Sequence, residues 1–132
     1  MAFVFGAGLV LTMYPAELLA YGATCLGSDG DPVESETYFL CLESDASGGL
    51  WTPLHRTRGQ DREPIPEDNK TGFPEFVRGH SYYSTRELWQ VPHKAAKKAS
   101  AACADKSGPK LANRISGRWM PTLDKFPAAP SG

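Results

Sequence analysis

No lysine or arginine occurs in residues 1–50 of this 132-residue sequence. That half carries Glu17, Asp29, Asp31, Glu34, Glu36, Glu43 and Asp45, a net charge of −7. All 14 basic residues lie in 51–132 against 8 acids, so the overall −1 conceals two oppositely charged halves. Such a layout implies an anionic partner for the basic half, or contact between the halves.

Cysteine is scarce. Cys25, Cys41 and Cys103 form no CxxC pair, which argues against a zinc site. In an oxidising compartment Cys25 and Cys41 could pair; in a reducing one all three are small buried hydrophobes. We favour the reduced, intracellular case over secretion, and no targeting signal fixes the compartment. Asn69-Lys70-Thr71 is a glycosylation sequon that matters only after secretion. Long apolar runs are missing too. Residues 2–14 are apolar, but Pro15 and Glu17 end the run before the ~20 residues a membrane helix needs. We read roughly 3–13 as a buried strand. A signal peptide, which would want a basic start, and a membrane span are the competing readings.

No cofactor motif is complete. Gly6-Ala7-Gly8 begins a dinucleotide fingerprint, but Leu11 stands where the third glycine belongs. The acidic turn 27–35 does not continue as a calcium loop: counting from Asp29, Val33 is fifth and Leu40 twelfth. A GxSxG elbow is absent. We therefore expect no cofactor and no metal, and the sequence shows no small-molecule site.

Among what is present, Ser84–Lys106 organises the rest. Ser84 with Glu87 three residues later is a capping-box pattern. Leu88, Val91, Pro92, Ala95, Ala99, Ala102 and Cys103 recur at helical spacing, with Gly108 and Pro109 as stop signals. This predicts a main helix over about 85–106, with a short turn (85–91) placing Pro92 in its first turn. Pro15–Tyr21 reads as a short helix with Leu18 and Leu19 facing the core. Thr37–Leu42 reads as a central strand, because both parities are apolar. Residues 51–80 show no period and hold four prolines, which suggests an irregular arm. The expected fold is α+β: a small sheet, one main helix and long Pro/Gly-rich irregular arms. Its parts are an acidic strand, short-helix and strand part (1–50), a proline-rich arm (51–83), the helix (84–108) and an irregular tail (109–132), all in one compact domain.

Residues 86–118 hold eight basic residues against Glu87 and Asp105, with Trp89 and Trp119 within or flanking them. Basic groups neutralise anions, and Trp and Arg dominate interface anchoring. The expected binding residues are Arg86, Trp89, Lys94, Lys97, Lys98, Arg114, Arg118 and Trp119, with Trp51 as a further anchor. The expected partner is a polyanionic macromolecular surface, either an acidic protein or nucleic acid. The first functional reading is a non-enzymatic interaction or structural subunit that docks on a larger assembly. The alternative is a small secreted effector-like or nuclease-like protein using His55, His80 or His93 for acid–base chemistry, with Arg78 or Arg86 stabilising charge. No spacing requires that chemistry.

Overall fold

The structure, a computed structural model, describes residues 6–28, 33–101, 113–116, 120–127 and 129. It overturns the expected α+β layout. Among the described residues nine strands dominate: β1 (Leu9–Met13), β2 (Thr24–Gly27), β3 (Thr37–Ser44), β4 (Gly48–His55), β5 (Arg62–Pro64), β6 (Lys70–Thr71), β7 (Tyr82–Ser84), β8 (Leu88–Pro92) and β9 (Asn113–Ile115). Three α-helices accompany them there: α1 (Pro15–Ala20), α2 (Pro74–Arg78) and α3 (His93–Ala101). Every strand pairing is antiparallel, and the main sheet runs β2-β8-β4-β3-β1-β9-β6.

Strand alternation sends side chains to two cores. Leu9, Leu11, Met13, Phe39, Cys41, Trp51, Trp89 and Val91 point to one face, under Leu18 of α1 and Ala95, Ala96 and Ala99 of α3. Val10, Leu40, Leu42, Leu54 and Leu88 point to the other, under Ile65, Phe76 of α2, Tyr83 and Phe126. A sheet covered on both faces requires apolar residues at both parities. That is why Leu9–Leu11 of β1 and Tyr38–Leu42 of β3 are consecutive apolar residues.

The stretch 84–106 departs from its helical reading. The Ser84 hydroxyl accepts from the backbone N–H of Arg86 at 3.2 Å, closing a tight turn. Glu87 points inward and accepts from Trp89 Nε1 at 2.7 Å and from the Val33 N–H at 3.2 Å. Leu88–Pro92 then runs as a strand, and the helix begins at His93, one residue beyond the proline. Trp89 and Val91 favour a pleated, half-buried backbone, and cross-strand pairing with Gly48–Trp51 decides the matter. The downstream part of the expected helix, 102–106, lies outside the described residues.

The proposed irregular arm also contributes to the sheet. β4 has two successive partners along one edge: β8 through Trp51 and β7 from Leu54. Thr52 fills the break, its buried hydroxyl lying 2.9 Å from Glu87 O and 3.2 Å from Ser84 O. Pro53 falls at the same interruption, where a residue without an N–H is tolerated. Gly8 (φ +96°) starts β1: a Cβ there would lie 2.5 Å from Ile115 O, so the close approach of β9 requires glycine.

The rung Cys25–Trp89–Trp51–Cys41 crosses four adjacent strands in register. Three interstrand steps separate the two cysteines by about 14 Å. A disulfide needs Cα atoms within about 7 Å, so this fold does not form the Cys25–Cys41 bridge. Burial pushes the Cys41 thiol up to about 12, consistent with an inert packing role.

Glu87 is 6% exposed, and burial raises its pKa above 4.5 despite its two hydrogen bonds. The native state therefore holds the proton more tightly than the unfolded chain. Its contribution is fully favourable below about pH 4.5 and is lost as pH rises through the native value. We expect Glu87→Gln, which retains both acceptor contacts, to gain stability over wild type as pH increases through that window. Urea midpoints measured from pH 4 to 8 check this, and a constant difference between the two proteins would contradict it.

Candidate functional site

The charge-bearing face is built by α1 and α3. α3 is alanine-rich and free of β-branched residues, which suits a helix directly after Pro92. Its start is held by the turn between β3 and β4. The His93 N–H donates to Ser47 O at 3.1 Å, and the His93 Nε2 lies 2.7 Å from Asp45 O. Asp45 Oδ1 accepts from the N–H groups of Ser47 and Gly48 and from the Ser47 hydroxyl, which holds its carboxyl below the usual range.

Ala95, Ala96, Ala99 and Ser100 are buried, and their small side chains let the helix lie close to β1, β4 and β8. The opposite stripe is Lys94, Lys97, Lys98 and Ala101, all exposed and spaced i, i+3, i+4, i+7. The Lys98 ammonium sits 5.9 Å from the centre of the Tyr21 ring, just past the end of α1. Leu19 (56% exposed) and Tyr21 (40%) are the exposed large hydrophobic residues among those described. Lys98 therefore borders the exposed C-terminal end of α1, the helix against which α3 packs.

None of these lysines joins an ion pair among the described residues. The two ion pairs there are Arg86–Asp61 at 3.1 Å and Lys125–Glu63 at 3.5 Å. Both lie in the basic half, so the acidic half does not neutralise it through direct pairs among the described residues. Like charges at helical spacing repel by about 0.2–0.5 kcal/mol per pair, and α3 retains that repulsion.

The other expected binding residues scatter. Arg86 is held by Asp61. Arg114 is exposed on β9. Trp89 is 1% exposed, and Trp51 is fully buried; both are core residues in this fold. Arg118 and Trp119 lie outside the described residues. Leu19, expected to face the core, points to solvent, because Pro15 and Leu18, three residues apart, make up the buried side of so short a helix.

His55 and His93 do not converge. His55 ends β4, and His93 is hydrogen-bonded to the turn before β4, a separation of roughly 23 Å along eight extended residues. His55 is half-buried. Burial and then the Arg62 charge hold its pKa below 6.5, favouring neutral imidazole. It lines a polar cleft of about 430 Å³ with Thr12, Tyr38, Arg56, Glu36 and Glu75. His80 lines a separate hollow of about 130 Å³ with Lys70 and Arg78. A further depression of about 440 Å³ lies over Glu43–Asp45 and Gly48–Leu50. No group of metal-ligating side chains is assembled among the described residues, and no helix there is long and apolar enough to cross a membrane.

The sequence matches no protein-family model, no curated protein and no solved structure.

Proposed function

We propose that the protein is a non-enzymatic interaction or structural subunit that docks on a polyanionic surface through the exposed face of α3. The observation that carries this reading is the Lys94/Lys97/Lys98 stripe, which has no ion-pair partner among the described residues. A cationic stripe left without internal counter-charge gains most from an external one. The side chains are exposed, so they are removable without touching either core.

The test is Lys94→Ala, Lys97→Ala and Lys98→Ala combined. Alanine is the best helix former, so α3 persists in the variant. Titration against a short DNA duplex at several salt concentrations should show at least a tenfold loss of affinity, on the order of 1.4 kcal/mol. The slope of log affinity against log salt should fall by about three if each lysine neutralises one phosphate. Elution from heparin resin should move to lower salt. Absence of wild-type binding at low salt to DNA, heparin and anionic lipid vesicles alike, or equal binding by the variant, would overturn the reading.

A further inference from the structure

We infer that the polyanionic surface this face fits is an anionic lipid bilayer, bound peripherally, with Leu19 and Tyr21 entering the headgroup layer beside the three lysines. The inference rests on the docking reading above and names its partner.

Charge alone does not distinguish a membrane from nucleic acid. The apolar neighbours do. Leu19 is 56% exposed at the end of α1, and an aliphatic tip offers nothing to a phosphate backbone. It gains by leaving water for the acyl boundary. Tyr21 is 40% exposed and carries an apolar ring with a polar tip, the type of side chain that settles at membrane interfaces. Lys98 lies over the Tyr21 ring, which opposes base stacking on that face. A lysine there can instead lay its stem along the apolar layer while its ammonium reaches lipid phosphate. Lys94, Lys97 and Lys98 share the exposed stripe of α3, and α3 packs against α1. Cationic and apolar contacts are therefore available together, and two independent contributions are what stable peripheral binding requires.

Co-sedimentation with vesicles tests this. Wild-type protein should pellet with phosphatidylcholine vesicles containing phosphatidylserine and remain in solution with phosphatidylcholine alone. Leu19→Gln should lower partitioning about tenfold through loss of apolar insertion, while leaving heparin elution unchanged. The triple lysine variant should lose both. Wild-type binding to heparin but not to mixed vesicles would overturn the lipid assignment and leave the docking reading intact. Equal vesicle binding by wild type and Leu19→Gln would also overturn it, because charge alone would then account for attachment. Failure with heparin, DNA and vesicles alike would remove both.

Discussion

Trp51→Ala is expected to cost about 3–5 kcal/mol of folding stability. That is a large share of the roughly 5–15 kcal/mol that keeps a domain folded. Trp51 is fully buried in the middle of β4, flanked in register by Trp89 on one strand and Cys41 on the other. Its indole also crosses the backbone at Gly49: a Cβ at that glycine would lie 3.1 Å from the indole nitrogen. Neither neighbouring strand can move in to fill the space, because each is held by its own ladder. Trp89 is constrained further, since its ring meets Phe39 edge-on at 5.9 Å and its N–H is bound to Glu87. The cavity therefore stays open, and cavity volume is what sets the penalty for such truncations. Trp51→Phe retains much of the packing and should cost distinctly less. Urea denaturation followed by circular dichroism measures both. A loss below 1 kcal/mol for the alanine variant would show that Trp51 is not enclosed as described.

Lys70→Met should cost about 2–4 kcal/mol, although it replaces a buried charge with an apolar chain of similar length. Lys70 is 4% exposed. Its ammonium donates to Phe76 O at 3.0 Å, to Gly79 O and to the Ser81 hydroxyl at 3.3 Å, and it lies 5.3 Å from the centre of the Phe76 ring. The two carbonyls belong to the end of α2 and the residue after it, where a cation is favoured. Burial lowers the lysine pKa, and the nearby Glu67 charge opposes that shift. Methionine fills the space but leaves both carbonyls without this donor. Arginine does not substitute, because a planar fork cannot place three donors as an ammonium does. Thermal melts read the loss, and limited proteolysis at 74–79 should accelerate with it. An unchanged melting point would mean that desolvation of the ammonium cancels what its hydrogen bonds contribute.

What the sequence made legible follows a physical division. The 37–42 segment was readable because apolar residues at both parities announce a strand covered on two sides, and β3 is such a strand. α1 was readable because proline at its start and glycine past its end are local signals. The 85–106 segment failed because Leu88 and Val91 fit a helical period as well as a strand whose two faces are both buried. Only the partner Gly48–Trp51, some 40 residues away, discriminates between the two. β5, β6 and β7 are two or three residues long, too short for any period, so 51–83 looked irregular. At the candidate site, the lysine stripe was legible from spacing. The exposure of Leu19 and Tyr21 was not, since it depends on which side of α1 meets α3. Nor was the burial of Lys70 and Glu87: the Lys70 acceptors are mostly backbone carbonyls around α2, which carry no sequence signal, and one Glu87 donor is the N–H of Val33, far away in the chain.

The pairing of β1 with β9 has a consequence for synthesis. Leu9 stands opposite Arg114, and Val10 opposite Asn113. Translation delivers β1, β3 and β4 early, but the second edge of β1 has no partner until about a hundred residues later. At ordinary elongation rates that delay is roughly 5–20 s. Throughout it, the Leu9–Val10 part of that edge, two fully buried core residues, presents unpaired backbone groups to its surroundings. The nascent chain is therefore most open to wrong pairing during translation, and the short stretch Asn113–Ile115 closes that window.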